Sequence, residues 1–140
     1  MIPPNREVLI VDDEQCIRDV LVELFETEGV RVSSAGTLDE AKRMLARRVF
    51  DLIVTDIRLG GRRDGGLQVM GAAGFLSPEA TVVALTAFPD EGNRQASMRL
   101  GARHFLEKPI ALERIAELAA QAGVPTAMMP MTSEIAFVGH

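Results

Sequence analysis

Five polar side chains stand directly after apolar stretches of the sequence, and their types suit metal binding and phosphoryl transfer. Asp12 and Asp13 follow VLIV, Asp56 ends DLIVTD, Thr86 ends VVALT, and Lys108 follows FLE. Mg²⁺ prefers oxygen ligands and keeps several waters, so two or three carboxylates suffice to hold it. The cation would also relieve the repulsion between the adjacent charges of Asp12 and Asp13. A carboxylate such as Asp56 can then attack phosphorus as a nucleophile.

The remaining two groups fit the same chemistry. A transferring phosphoryl group has three oxygens that need positive charge or hydrogen-bond donors around them. The metal, the ammonium of Lys108 and the hydroxyl of Thr86 would supply those partners. The five residues therefore predict a phosphoryl-transfer site in which Asp56 is the nucleophile.

Each of these side chains also has an ordinary interpretation when it is taken alone. Asp12 or Asp13 can cap the helix that follows, and Asp56 can be a loop acid. Thr86 can be a strand-end hydroxyl, and Lys108 can be a solvated surface charge. Their occurrence at the ends of four predicted strands favours one shared site over separate ordinary roles.

The elements that position these residues alternate regularly along the chain. Short apolar, β-branched runs predict strands at 8–11, 30–33, 52–55, 81–85 and, more weakly, 104–106. Helical periodicity fills the intervals, at 14–29, 37–48, 67–76, 90–101 and 111–123. Thr37 and Glu40 form a capping box, Gly29 is a plausible C-terminal stop, and Gly71 and Gly74 make 67–76 the poorest helix.

Continuous apolar strands that alternate with amphipathic helices predict an α/β fold with a parallel sheet covered on both faces. In such sheets, ligands bind outside the carboxyl ends of the strands. This rule places the five polar residues at one edge of the sheet.

Composition narrows the protein class. The 140 residues suit one domain, and 47% hydrophobic with 25% charged residues is a globular balance. A net charge of −5, from 15 basic and 20 acidic residues, argues against a broad nucleic-acid-binding face. The single cysteine, Cys16, suits a reducing compartment, and no apolar run is long enough to span a membrane. We therefore expect a cytoplasmic protein that binds neither nucleic acid nor membrane.

The segments VLIVDDE, DLIVTDIRL, VVALTA and GARHFLEKP resemble the receiver domain of bacterial two-component response regulators. The resemblance runs from about Arg6 to Gly123. It implies the flavodoxin-like fold, a doubly wound (βα)5 sheet with strand order 2-1-3-4-5. It places the receiver at residues 1–123 and leaves residues 124–140 as a short tail, either a truncated linker or the natural end of a stand-alone receiver.

The resemblance also implies that the protein is a phosphorylation-dependent signalling switch with Mg²⁺ as its cofactor. It assigns a role to each residue of the site. Asp56 would be the phosphoacceptor, and Mg²⁺ would be bound by Asp12, Asp13, Asp56 and the backbone carbonyl of Arg58. The phosphoryl group would be contacted by Thr86 and Lys108, and the switch would be formed by Thr86 and Phe105. The peptide bond between Lys108 and Pro109 would be cis.

Partners follow from the same resemblance. A sensor histidine kinase or a phosphotransfer protein would donate the phosphoryl group. A downstream target or a second copy would dock on the face formed by 90–100, 104–106 and 112–121. The protein would not be an enzyme beyond slow self-phosphorylation and self-dephosphorylation.

Three other functions fit these residues less well. An aspartyl phosphatase usually carries a second acid two residues after its nucleophile, and that position here is Arg58. An unphosphorylated interaction module would not need the set of acids, threonine and lysine. A flavin carrier would need a Trp or Tyr to stack on the flavin ring, and this chain has neither. The arginines of IRLGGRRDGG (Arg58, Arg62 and Arg63) either are solvated and offset the acidic edge, which we favour, or have a specific role.

Overall fold

The computed structural model describes residues 6–129 of the chain. Five strands alternate with five helices, which confirms the predicted (βα)5 order. The elements are β1 (Arg6–Val11), α1 (Gln15–Leu24), β2 (Val30–Ala35), α2 (Leu38–Arg47), β3 (Leu52–Asp56), α3 (Gly65–Leu76), β4 (Thr81–Thr86), α4 (Glu91–Arg99), β5 (Ala102–Glu107) and α5 (Leu112–Gln121). None of the helices in the described residues is long and apolar enough to cross a membrane.

The strands form one parallel sheet in the order β2-β1-β3-β4-β5. This order confirms the flavodoxin-like arrangement. The central strand β3 is buried along its whole length, LIVTD, as expected for a parallel strand that is covered on both faces. The inner strands β1, β3 and β4 accordingly contain the continuous apolar runs VLIV, LIV and VVAL.

Two apolar layers hold the helices against the sheet. Leu9 and Val11 point to the α2 and α3 side, whereas Val8 and Ile10 point to the α1 and α5 side, because successive side chains of a strand face opposite ways. Helix α4 is different, since its only fully buried residue in the structure is Ser97. It is thus held less firmly by apolar packing than the other helices.

Two helix boundaries differ from the sequence expectation by more than the capping residues. Helix α1 ends at Leu24 and not at Gly29, because Phe25 is the C-terminal cap and its side chain is fully buried. Gly29 instead lies in the following turn with φ +87°, and its carbonyl accepts a hydrogen bond from Arg6 N at 3.0 Å. Helix α3 begins at Gly65, two residues before the predicted start at Leu67.

The predicted capping box of α2 is confirmed. Thr37 Oγ1 accepts from the N–H of Glu40 at 3.1 Å, and the Glu40 carboxylate accepts from Gly36 N–H at 2.9 Å. The hydrogen bond from Gly36 is the main cause that lowers the pKa of Glu40. The start of α2 is therefore fixed by its own sequence.

The chain continues to pack after α5. Val124 is fully buried in the layer on the α1 and α5 side. Ala127 N–H donates to the Leu24 carbonyl at 2.7 Å and so closes the end of α1. Part of the predicted tail thus lies against the domain, while its residues 130–140 lie outside the described residues.

Candidate functional site

Three carboxylates meet at the carboxyl edge of the sheet. Asp12 and Asp13 follow β1, and Asp56 is the last residue of β3. One oxygen from each of the three lies within 4.8 Å of the others. Asp12 is fully buried and Asp56 is 6% exposed, whereas Asp13 is open to solvent. The parallel register of β1 and β3 brings these residues together, as the sequence predicted.

Lys108, just after β5, reaches back into this cluster. Its Nζ lies 2.9 Å from Asp12 Oδ2, 3.1 Å from Asp56 Oδ2 and 3.5 Å from Glu14 Oε1. The peptide bond between Lys108 and Pro109 is cis, which confirms that expectation. Four of the five predicted residues thus form one charged cluster, and Glu14 is an additional member at its exposed rim.

Burial and charge act in opposite directions within this cluster. Burial raises the pKa of Asp56, and the nearby charge of Asp12 raises it further, while Lys108 opposes both effects. Burial by itself would lower the pKa of Lys108, but its hydrogen bonds to Asp12 and Asp56 outweigh that effect and raise it. Lys108 therefore stays charged and offsets two carboxylates that would otherwise repel each other.

Backbone and neighbouring groups hold the two leading acids. Asp12 Oδ1 accepts from the N–H of Glu14 at 2.9 Å, and Asp13 Oδ2 accepts from Gly60 N–H at 3.1 Å. The guanidinium of Arg18 donates to the Asp12 carbonyl at 2.7 Å. These bonds orient the acids before any ligand binds.

The donor set suits a hard divalent cation. Three carboxylates within reach of one point supply oxygen ligands, and the exposed side of Asp13 leaves room for water, which Mg²⁺ retains. The three carboxylates therefore fit Mg²⁺, the predicted cofactor. The contribution of the Arg58 backbone carbonyl stays a prediction, although Arg58 N–H does approach Asp56 Oδ1 at 3.4 Å.

The two predicted switch residues lie on neighbouring strands. Thr86 ends β4, is 1% exposed, and its Oγ1 accepts from the N–H of Phe88 at 2.9 Å. Its carbonyl accepts from Lys108 N–H at 2.8 Å, which ties β4 to the lysine. Phe105 pairs with Ala84 across the β4–β5 ladder and is partly buried on the α2 and α3 side. By strand alternation, Thr86 points to that same side of the sheet.

Two features of the site were not predicted from the sequence. At Gly66 a Cβ would overlap the carbonyl oxygen of Asp56 and the Cα of Ile57, so only glycine lets α3 start this close to β3. The Gly-Gly pair after Asp64 was the available signal. The interpretation of all three loop arginines as solvated is wrong for Arg58, whose guanidinium carbon lies 3.9 Å from the ring centre of Phe88.

Comparison with known proteins agrees with this geometry. Residues 8–120 match the family described as the response regulator receiver domain. The chain belongs to this family. Receiver domains are the signal-transducing regulatory modules of two-component systems, and the sequence resemblance is thereby confirmed.

Individual relatives of this receiver domain give the degree of similarity. The response regulator protein PilR of Pseudomonas aeruginosa is 36% identical over 119 residues, which cover 84% of this chain and 26% of PilR. A response regulator from Burkholderia pseudomallei, solved with a phosphorylated aspartic acid and a calcium ion, has a TM-score of 0.73 and 29% identity, covering 84% of this chain and 69% of that one. The beryllofluoride-activated NtrC4 receiver domain dimer has a TM-score of 0.73 and 31% identity, covering 83% and 94%.

The receiver domain spans only about a quarter of the first curated relatives it matches, at 26%, 25% and 24% of their lengths.

Proposed function

We propose that this receiver domain accepts a phosphoryl group on Asp56, with Mg²⁺ bound by Asp12, Asp13 and Asp56. The observation that carries the proposal is the contact of Lys108 Nζ with Asp56 Oδ2 at 3.1 Å beside the acidic pair. The ammonium of Lys108 and the carboxylates of Asp12 and Asp13 thus flank the Asp56 carboxylate at the end of β3. The phosphorylated aspartic acid of the Burkholderia pseudomallei neighbour supports the same role for Asp56.

The donor would be a phosphohistidine on a sensor histidine kinase or a phosphotransfer protein. A carboxylate oxygen of Asp56 attacks phosphorus, the phosphorus–nitrogen bond breaks, and the imidazole leaves with the bonding electrons. Lys108, already charged and buried beside Asp56, offsets the charge on the phosphoryl oxygens. A bound Mg²⁺ would add Lewis-acid neutralisation of that charge.

Transmission would begin at Thr86. A phosphoryl group on Asp56 offers acceptor oxygens that attract the Thr86 hydroxyl. Its movement vacates space on the side of the sheet where Phe105 is partly buried. Burying the remaining ring surface contributes about 1–2 kcal/mol, which is enough to bias a two-state switch.

The output surface would be α4, β5 and α5. Helix α4 is mostly exposed and only Ser97 is buried in it, so its repositioning costs little apolar contact. A downstream target or a second copy would dock on this face. The activated NtrC4 neighbour, which is a dimer, supports the second copy as one such partner.

The proposal is tested by incubating the protein with Mg²⁺ and acetyl phosphate and measuring the intact mass. One added phosphoryl group is expected, and it should be absent from Asp56→Asn and from wild-type protein treated with a chelator. An equal mass increase in Asp56→Asn would contradict the assignment. Continuous turnover of a phosphomonoester would indicate a phosphatase instead.

A further inference from the structure

One side-chain contact joins the loop after β3 to the loop after β4. The guanidinium carbon of Arg58 lies 3.9 Å from the centre of the Phe88 ring, a distance typical of a cation over an aromatic face. Arg58 Nε is buried and has no hydrogen-bond partner among residues 6–129. Phe88 is 50% exposed. The aromatic face is thus the contact that holds this guanidinium.

Hydrogen bonds fix the backbone of Phe88 at both its N–H and its carbonyl. Its N–H donates to Thr86 Oγ1 at 2.9 Å. Its carbonyl accepts from Asn93 Nδ2 at 3.2 Å, in the first turn of α4, and from Asp90 N–H at 3.0 Å. Phe88 therefore connects the switch hydroxyl with the start of the helix on the output face.

Arg58 is connected in turn to the phosphoacceptor. Its N–H donates to Asp56 Oδ1 at 3.4 Å, and the two residues are separated by one position in the chain. A continuous set of contacts therefore runs from Asp56 through Arg58 and Phe88 to Thr86. The path does not pass through Asp12 or Asp13.

We propose that Arg58 and Phe88 form a latch that holds Thr86 in its unphosphorylated arrangement, with Arg58 as a positioning residue for the switch. The inference rests on the proposed function of Asp56. If the Thr86 hydroxyl moves towards a phosphoryl group, it must leave the Phe88 N–H or take Phe88 with it. Either movement strains the contact between ring and guanidinium, so the latch opposes switching until the phosphoryl oxygens attract the hydroxyl more strongly.

The size of the effect follows from the exposure of the ring. A cation–π contact at a partly exposed site changes a two-state equilibrium by about two- to fivefold. Removing it should shift the population towards the phosphorylated arrangement by that factor. The change is small enough to leave the fold intact, because Phe88 lies outside the two apolar layers.

The first test is the affinity for beryllofluoride in the presence of Mg²⁺, measured by a titration followed by nuclear magnetic resonance. Phe88→Leu keeps an apolar side chain and the charge of Arg58 but removes the aromatic face. We expect it to bind about two- to fivefold more tightly than wild type. In an Arg58→Gln background the same substitution should have no effect, because the latch is already absent. Unchanged or weaker binding in Phe88→Leu, or an equal gain in both backgrounds, would overturn the proposal.

The second test needs no ligand. Hydrogen exchange of the Phe88 N–H should be about two- to fivefold faster in Arg58→Gln than in wild type, because its bond to Thr86 opens more often. Arg63→Gln is the matched control, since Arg63 is an exposed arginine of the same loop, and it should exchange like wild type. Equal exchange in Arg58→Gln and Arg63→Gln would refute the latch.

The two tests also separate this inference from the function on which it rests. If Asp56 does not accept a phosphoryl group, wild-type protein fails to bind beryllofluoride, whereas the exchange measurement still reports on the contact. If only the latch is wrong, wild type binds beryllofluoride and the variants behave like it.

Discussion

Replacing Lys108 with methionine should destabilise the protein most when no divalent cation is present. Methionine has a similar length and no charge, so the change removes the ammonium but keeps most of the packing. Asp12 and Asp56 would then be left as neighbouring buried carboxylates without their cation. Their repulsion is the direct cause of the expected loss.

The magnitude follows from burial. The side chains of Lys108, Asp12 and Asp56 are 10%, 0% and 8% exposed, so solvent screens their interaction little. Removing one partner of a buried ion pair costs about 3–5 kcal/mol. The loss should be smaller at pH 5 than at pH 8, because the pKa of Asp56 is already raised by burial and rises further without Lys108, so protonation relieves the repulsion.

A divalent cation should compensate for the missing ammonium. Mg²⁺ at 100 times its dissociation constant stabilises the folded state by about 2.7 kcal/mol. Urea unfolding of wild type and Lys108→Met, each with chelator and with saturating Mg²⁺, measures both effects. Lys42→Met is the matched control, because Lys42 is exposed on α2 and its replacement should change little.

A loss below about 1 kcal/mol in chelator, which is the range of an exposed ion pair, would contradict the prediction for Lys108→Met. Equal stabilisation of wild type and Lys108→Met by Mg²⁺ would also contradict the prediction, because a cation that replaces the ammonium should stabilise the variant more. The first result would mean that Lys108 does not offset buried charge, and the second that the cation does not take over the role of the Lys108 ammonium.

Three further substitutions test separate parts of the account. Without metal, Asp56→Asn should stabilise the protein at pH 8, because burial raises the pKa of the Asp56 carboxyl in the folded state. The expected gain is about 1.4 kcal/mol for each unit by which folding raises this pKa. The gain should shrink as the pH falls and the wild-type carboxyl takes up its proton, and a gain that is independent of pH in urea unfolding would contradict this. Gly66→Ala should lower the free energy of unfolding by about 1–3 kcal/mol or more, because the added Cβ meets backbone atoms. Gly71→Ala, in open space on the same helix, should raise it by about 0.5–1 kcal/mol. Equal effects of the two substitutions in thermal unfolding would show that the approach of Gly66 to β3 is not tight. Thr37→Ala should cost about 1 kcal/mol through the lost cap of α2, and a neutral result in the same measurement would show that the cap does not limit stability.

The fold was predictable because its local signals agree with one another. Runs such as VLIV in β1 and LIV in β3 are continuous and apolar, which indicates burial on both faces. The capping box at Thr37 located the start of α2 correctly. The end of α1 was not predictable from periodicity, since Phe25 continues the apolar pattern but acts as the cap. The early start of α3 depends on a close backbone approach at Gly66, which no periodic pattern encodes.

The site was predictable to the extent that it depends on strand ends. Asp12, Asp13, Asp56 and Lys108 meet because parallel strands share one carboxyl edge. The contact of Arg58 with Phe88 depends instead on the side-chain conformations of two separate loops. Charge pattern alone favoured solvent for that arginine, and only the three-dimensional structure shows the aromatic face beside it.

The most direct test of the switch is a nuclear magnetic resonance comparison of the protein with and without beryllofluoride and Mg²⁺. We expect shift changes at Asp12, Asp13 and Asp56, and also at Thr86, at Phe105 and across α4, β5 and α5. Asp56→Asn should show none of the beryllofluoride-dependent changes. Changes confined to the metal-binding loops, with Thr86, Phe105 and the output face unaltered, would contradict the claim that phosphorylation of Asp56 is transmitted through the sheet.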